Sequence, residues 1–400
     1  MHLAKLSSLL PPVPPSLFHL YGFELSRRSE GIEMCRWIVY FSHEEPILLA
    51  DLLIRPGHSL LKQVDEHYLP GLGIEAPPSE ANDRRSPNNF TNLDGFGIGW
   101  YSRTPATHRI YSTPDCSVAH PDTLPTVYKL TTPPLHDENL DSLAHSIESK
   151  VVFGHIRAST TGMVQLANCH PFRWGRFLFQ HNGSIGRFAD IQLELMNLVG
   201  PHARSKVRGT TDTEWFAALF FYHLDSSERA TWLDDFSLDD QVRALSHTIA
   251  TVIRLVELKG GYVLSQVSGD LSAWFSSNVA ITDGERLIAL RYVYPGSLRE
   301  APSLYWSTTV GATFDRKYRS PHPDGEPRDV GDRPSDQHRG HVVVASEPMT
   351  RDEREWHLMR PGQALVVDER GRARFERIAR NTDPSLSVTG DRVGTSSDSE

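Results

Sequence analysis

The stretch Met34-Cys35-Arg36-Trp37-Ile38-Val39-Tyr40-Phe41 marks where this chain turns from extension into folded protein. From Arg36 to Phe41 it is an aromatic and β-branched run, the composition of a buried strand. What precedes it reads differently. Met1 to Leu20 carries one basic residue other than histidine, no acid, and the run Leu10-Pro11-Pro12-Val13-Pro14-Pro15. The prolines would break the helix that a mitochondrial presequence needs, and the short apolar stretch lacks a clear signal-peptide cleavage site. Residues 1–34 are therefore expected to be an N-terminal extension that is disordered, weakly targeting, cleaved off, or upstream of the true start. Met34 directly before Cys35 singles out the last two readings.

Outward from this strand, Ile47 to Ile54 is a second apolar stretch, and Gly71 to Asn92 is polar and rich in Pro, Asn and Asp, which predicts a loop. Gly95 to Tyr101, Val151 to Arg157 and Arg176 to Gln180 predict strands, the last running into the turn signal Asn182-Gly183. Helical spacing occurs over Ile191 to Val199, Thr213 to Leu224 and Gln241 to Leu258. The second of these opens with Thr210-Thr211-Asp212-Thr213-Glu214, whose small oxygen-bearing residues can cap a helix N-terminus. Further strands are predicted over Tyr262 to Val267, Asn278 to Thr282, Arg286 to Tyr292, Leu304 to Thr308, His341 to Ala345, Gln363 to Val367 and Arg374 to Ile378. A hydrophilic insertion at about 316–340 and a Ser-, Thr- and Asp-rich tail at 381–400 have no periodicity and are expected to be disordered. No repeat and no second composition regime interrupts the remainder, so one domain is expected over 35–380. Strands in the majority with a few long helices indicate helices packed on stacked sheets.

Bulk properties exclude several classes. A net charge of -9 with no basic footprint argues against a nucleic-acid partner. No apolar run approaches the roughly 20 residues that cross a bilayer, so no membrane partner is expected. The three cysteines, Cys35, Cys116 and Cys169, lack metal-type spacing and cannot all pair internally, which favours free thiols in a reducing compartment. A cytoplasmic location is expected, with the N-terminal segment leaving mitochondria open. The 19 histidines form no HExxH pair, and the glycines of Gly95-Phe96-Gly97-Ile98-Gly99 run into strand-like Trp100-Tyr101 where a dinucleotide loop needs a helix. Neither a metal nor a cofactor is expected.

Four separated segments hold the chemically unusual residues: Met34 to Trp37, Gly154-His155-Ile156-Arg157-Ala158-Ser159-Thr160, His181-Asn182-Gly183-Ser184 and Gly209 to Glu214. A cysteine nucleophile needs a base, an oxyanion donor pair and a means of holding substrate, and these segments could supply each. Each also has a plain alternative. Cys35 could be a packed strand cysteine, Asn182-Gly183 a hairpin turn, Arg157 half of a structural ion pair, and Asp212 a helix cap. His155 and Thr160 flank Arg157, and Cys169 in Asn168-Cys169-His170-Pro171-Phe172 reads as a packing residue.

Taken in order, the four segments resemble the glutaminase domain of the class II glutamine amidotransferases, which are N-terminal nucleophile hydrolases. Asp94 to Trp100 and Asn168 to Phe172 extend the resemblance over much of Cys35 to Glu214. Asn278 to Gly284, Leu304 to Ser307 and Val344-Ala345-Ser346-Glu347-Pro348-Met349 look like the stand-alone amidotransferase-like subunit of the fungal cytosolic glutathione-degradation complex. The resemblance implies an α+β fold, a four-layer αββα sandwich with two stacked antiparallel sheets between helices. It implies Cys35 as nucleophile, with its own freed α-amine as base, and Asn182 and Gly183 as oxyanion donors. Arg157 and Asp212 would hold the α-carboxylate and α-ammonium of a glutamyl group, and Thr160 would shape the pocket. The implied reaction is cleavage of a γ-glutamyl amide through a thioester, on glutathione or glutamine, with a peptidase-like protein subunit as partner. Two alternatives stand beside it: a glutaminase subunit feeding ammonia to a separate synthetase, and a non-catalytic scaffold. The family pattern places the cysteine directly after the initiator methionine, whereas here residues 1–34 precede it. With those residues attached, Cys35 would carry an amide nitrogen and no base.

Overall fold

The computed structural model describes residues 35–64, 66–70, 85–87, 94–102, 124–158, 163–260, 274–295, 301–310, 340–378 and 391–392. In chain order the strands of the two main sheets are β1 (Arg36–Ser42), β2 (Gly95–Tyr101), β3 (Pro125–Leu130), β4 (Val151–Arg157), β5 (Phe172–Trp174), β6 (Phe177–Ile185), β7 (Phe275–Thr282), β8 (Leu287–Tyr294), β9 (Tyr305–Ser307), β10 (His341–Ala345), β11 (His357–Leu358), β12 (Gln363–Val367), β13 (Ala373–Arg377) and β14 (Asp391–Arg392). The helices are α1 (Leu49–Leu53), α2 (Glu138–Ser146), α3 (Phe188–Leu198), α4 (Pro201–Arg204), α5 (Asp212–Leu224) and α6 (Leu238–Gly260). One antiparallel sheet runs β11-β9-β10-β1-β4-β2-β3 and the other β14-β13-β12-β8-β7-β6-β5.

Side-chain alternation sorts the apolar residues into three cores and so defines the layers. On β1, Trp37, Val39 and Phe41 face the second sheet, where they meet Leu178, Ala280, Leu287, Ala289, Leu365 and Val367. Ile38 and Tyr40 point the other way and pack with Leu49, Leu52 and Leu53 of α1 and with Leu140 and Ala144 of α2. On the far side of the second sheet, Phe179, Val279, Ile281, Ile288 and Val366 pack against α3, α5 and α6. Four layers result, αββα, as the resemblance implies. Both faces of β1 are covered, which is why all seven of its residues are buried. Helix α5 is buried from Thr213 to Phe221, so its apolar residues run all the way round it instead of forming one stripe.

Several predicted elements differ from the structure. Asn182-Gly183 does not end a strand at a turn. Both residues lie inside β6, opposite Asn278 and Ser277 of β7. A Cβ at position 183 would collide with the Ser276 carbonyl oxygen, so the glycine serves close strand approach. Of the expected apolar stretch Ile47 to Ile54, only Ile47–Leu48 is extended, paired with Glu148–Ser149, and α1 follows. Within the expected loop, Arg85–Pro87 pairs with Glu66–Tyr68. Asp391 and Arg392 of the expected disordered tail pair with Phe375 and Arg374. The extension 1–34, Thr160, Cys116, the predicted strand Tyr262 to Val267 and 316–339 of the insertion lie outside the described residues.

Candidate active site

Cys35 stands immediately before β1, half-buried, with its Sγ 3.5 Å from the Ala158 carbonyl oxygen just beyond β4. Its own carbonyl oxygen accepts from Asn182 Nδ2 at 2.7 Å and from Arg36 Nη1 at 3.2 Å. Asn182 belongs to the second sheet, so this contact ties the two sheets at the cysteine. Two more inter-sheet bonds sit beside it: Gln180 Nε2 donates to the Ile38 carbonyl at 3.0 Å, and His155 Nε2 lies 3.1 Å from the His181 carbonyl. Burial pushes the Cys35 thiol up. The Arg157 and Arg36 guanidinium groups oppose that, and the Asp212 carboxylate adds to it. The thiol is therefore protonated at rest, and a base must take its proton before sulfur can attack.

Arg157 closes β4, buried at 4% exposure and opposite Gly95 of β2; its Nη1 donates to the Met163 carbonyl at 3.4 Å. Asp212 is the first residue of α5. Its carboxylate accepts from the backbone N–H groups of Ile185 and Thr213, both at 2.8 Å, which joins the end of β6 to the start of the helix. Burial raises the Asp212 carboxyl, and those N–H groups work against the rise. The helix cap itself is Thr211, whose hydroxyl accepts from Glu214 N at 3.4 Å. The structure thus brings Cys35, Arg157, Asn182, Gly183 and Asp212 to one end of the sandwich, with a cation and an anion both acting on the thiol. Cys169 is fully buried, with its Sγ 3.4 Å from the Leu130 carbonyl, the packing role read from its sequence context.

Residues 81–274 match the family model described as "Glutamine amidotransferases class-II". The "Probable glutamine amidotransferase DUG3" of Saccharomyces cerevisiae is 30% identical over 336 residues, which cover 84% of this chain and 82% of that protein. The chain belongs to the class-II glutamine amidotransferases. It is also similar to a glutamine--fructose-6-phosphate aminotransferase (isomerizing) of Francisella tularensis, 28% identical over 152 residues, 38% of this chain and 21% of that enzyme. Among solved structures, a glutamine aminotransferase class-II domain protein from Silicibacter pomeroyi aligns with a TM-score of 0.47 at 20% identity, covering 86% of this chain and all of that one. The "allosteric regulatory enzyme of purine biosynthesis" aligns with a TM-score of 0.45 at 17% identity, covering 87% of this chain and 50% of that one.

Two features of this amidotransferase escaped the sequence. The first is Glu347, quoted only as part of a family-like segment. It lies just past β10, fully buried, and accepts from Arg36 Nε at 2.5 Å, His58 Nε2 at 3.0 Å and Tyr68 N at 2.6 Å, while His67 Nδ1 lies 2.9 Å from it and 2.7 Å from Arg36 Nη2. Burial alone would raise its carboxyl, but the Arg36 charge and the bonds from His58 and His67 outweigh it and hold the group well below the usual range. Glu347 so anchors the guanidinium that reaches the Cys35 carbonyl. The second is a buried histidine trio. His170 Nδ1 is 2.8 Å from His155 Nε2, and His181 Nδ1 is 3.0 Å from Thr213 Oγ1. With its Nε2–H donating, His155 serves both the His181 carbonyl and His170 Nδ1. An acid directly after Ala345-Ser346 was the one available signal for Glu347, and nothing local announced its partners.

Proposed function

We propose that this amidotransferase hydrolyses γ-glutamyl amide bonds through a Cys35 thioester, with glutathione as substrate and a peptidase-like subunit as partner. The observation that carries the γ-glutamyl part of this reading is the opposed pair Arg157 and Asp212 acting on the same thiol, with Asn182 at hydrogen-bonding distance from the Cys35 carbonyl. The pair matches the α-carboxylate and α-ammonium of a free glutamyl head group. In this mechanism, loss of everything through Met34 frees the Cys35 α-amine, which titrates at about 7.7–8.0 and can take the thiol proton near neutral pH. Sulfur attacks the γ-carbonyl carbon and the negative charge gathers on its oxygen. Asn182 uses one amide N–H on the Cys35 carbonyl and has a second for the oxyanion, alongside the Gly183 N–H. The C–N bond then breaks, the leaving amine takes the proton from the α-ammonium, and water releases glutamate from the thioester. Thr160 shapes the glutamyl pocket in this reading.

Glutamine hydrolysis with ammonia passed to a separate synthetase is the second reading, favoured by the names of the relatives. The same Arg157 and Asp212 would hold either head group. The retained set Cys35, Arg157, Asn182, Gly183 and Asp212 argues against a scaffold, which needs none of them together. The test is the intact mass of protein purified from its native cell, followed by kinetics of a chain beginning at Cys35. A Cys35 N-terminus, a γ-glutamyl adduct on that residue and a higher kcat/KM for glutathione than for glutamine are expected. The reverse preference selects the glutaminase reading. A native chain that retains 1–34 and stays inert with every candidate substrate and partner would leave only the scaffold.

A further inference from the structure

At the edge where β3 and β5 face each other lies a cleft of about 550 Å³ that the glutamyl chemistry does not use, lined by Lys129, Arg173, Lys206, Arg208 and Glu214. Its volume is that of a small-molecule site. Four cations converge on it in a chain whose net charge is -9, so the local field runs against that of the whole molecule. Among the described residues Glu214 is the one carboxylate lining it, and its oxygens are held by the N–H groups of Arg208 at 2.9 Å and Gly209 at 2.5 Å. Lys129 pairs in register with Gly97, and so lies in line with His155 and Trp37 across the first sheet. Its ammonium rests 5.2 Å from the centre of the Phe172 ring. Burial pulls that ammonium down to about 8, with Cys169 and the Glu214 carboxylate opposing the fall, although among the described residues no carboxylate lies within 4 Å of it. A half-buried cation whose nearest acid, Glu214, acts on it only from beyond ion-pair distance is a group that an anion would stabilise.

The floor of the cleft narrows the ligand class. Trp174 stacks on Phe221 at 4.7 Å and Trp232 on His202 at 5.5 Å, so one face of each ring is already occupied. Gly175, in the left-handed region at φ +55, turns the chain tightly under Trp232. The four lining cations make charge the main means of recognition. We propose that this cleft binds a small metabolite through an oxyanion group, phosphate or carboxylate, at a site separate from the glutamyl pocket.

The two sites are linked through the chain next to Ala167, which lines the cleft. Asn168 Oδ1 accepts from Thr210 N at 3.0 Å, and its Nδ2 donates at 2.8 Å to the Met163 carbonyl that also receives Arg157. The experiment is calorimetric titration of the full chain with inorganic phosphate and, separately, with citrate, in buffers matched in ionic strength with chloride. Saturable one-to-one binding of at least one anion is expected, about tenfold weaker in Lys129→Gln and in Lys206→Gln. The exposed Arg354→Gln should bind as the wild type does. Lys206 is exposed, so its variant reports even if Lys129→Gln misfolds. Preference for phosphate identifies a phosphorylated ligand, and preference for citrate a carboxylate. The proposal falls if neither anion binds saturably, or if both cleft variants keep wild-type affinity. Neither outcome depends on amidase activity.

Discussion

Asn182 carries two duties on one side chain. Its amide fixes the Cys35 carbonyl at 2.7 Å across the gap between the sheets, and in the proposed reaction its second N–H meets the oxyanion. Asn182→Ala is expected to lower kcat by about 10²–10³ with little change in KM, because the lost donor matters most where charge develops. Steady-state kinetics on a γ-glutamyl amide would show this, and a rise in KM with kcat intact would move Asn182 from transition-state stabilisation to ground-state binding. The residue types needed for this chemistry were legible in the sequence, since Cys35, Arg157, Asn182, Gly183 and Asp212 each sit in a short distinctive segment. The backbone role of Gly183 was not. Asn-Gly is a strong local turn signal, and only the closeness of Ser276 on a strand far along the chain overrides it.

Between elements, Glu347 ties the end of β10 to the start of β1 through Arg36. Its carboxyl is held below its ordinary value in the folded chain, so the stability it contributes is present above the unfolded value of about 4.3 and is lost as pH falls below that. Glu347→Gln leaves Arg36 without its countercharge, and urea unfolding at pH 7 should show a loss of about 3–5 kcal/mol. That gap should shrink in titrations taken below pH 4; a gap constant with pH would mean packing, not charge, is at stake. The histidine trio acts in another window. Burial lowers His155 and His181 to about 3 and His170 well below its usual value, so all three are neutral in the folded chain at neutral pH. Unfolding lets each take a proton below about 6.5, so stability should fall with pH from there down, by up to about 1.4 kcal/mol per pH unit for each histidine. Replacing His170 with Gln should flatten part of that slope in urea midpoints measured from pH 7 to 5, and an unchanged slope would count against the burial argument. At this scale β1, β2, β4, β10 and β12 were legible, because their apolar runs are buried on both faces. Strand β3 was not, since it is an edge strand opening with Pro125, and α2 buries only Leu140 and Ala144, too few to register as a periodic face.

Across the whole molecule, the candidate site straddles the two sheets, so the spacing of the sandwich becomes a catalytic variable. The core between the sheets holds two small residues, Ala280 and Ala289, paired across β7 and β8 in the same cluster as Val39 and Phe41. Ala289→Leu should force the sheets apart at a cost of about 1–3 kcal/mol. It should also reduce kcat, although no site residue is touched, because Cys35 lies on the first sheet and Asn182 on the second. Paired urea and kinetic measurements would decide; destabilisation with kcat unaltered would show that the bonds from Gln180, Asn182 and His155 hold the site independently of the core.

What the sequence by itself determined was the set of chemical groups and the family to which they belong, because short segments such as Met34 to Trp37 and Gly209 to Glu214 carry that information locally. It also determined that stacked sheets with helices would form, because the apolar periodicities are local too. The tertiary structure alone decided which groups are neighbours. Asn182 meets Cys35 across 147 residues and Arg36 meets Glu347 across 311, and contacts so distant leave no spacing or composition to read. The cationic cleft is of the same kind, drawn from β3, β5 and the approach to α5, whose charges look like ordinary surface residues until folding places them around one space.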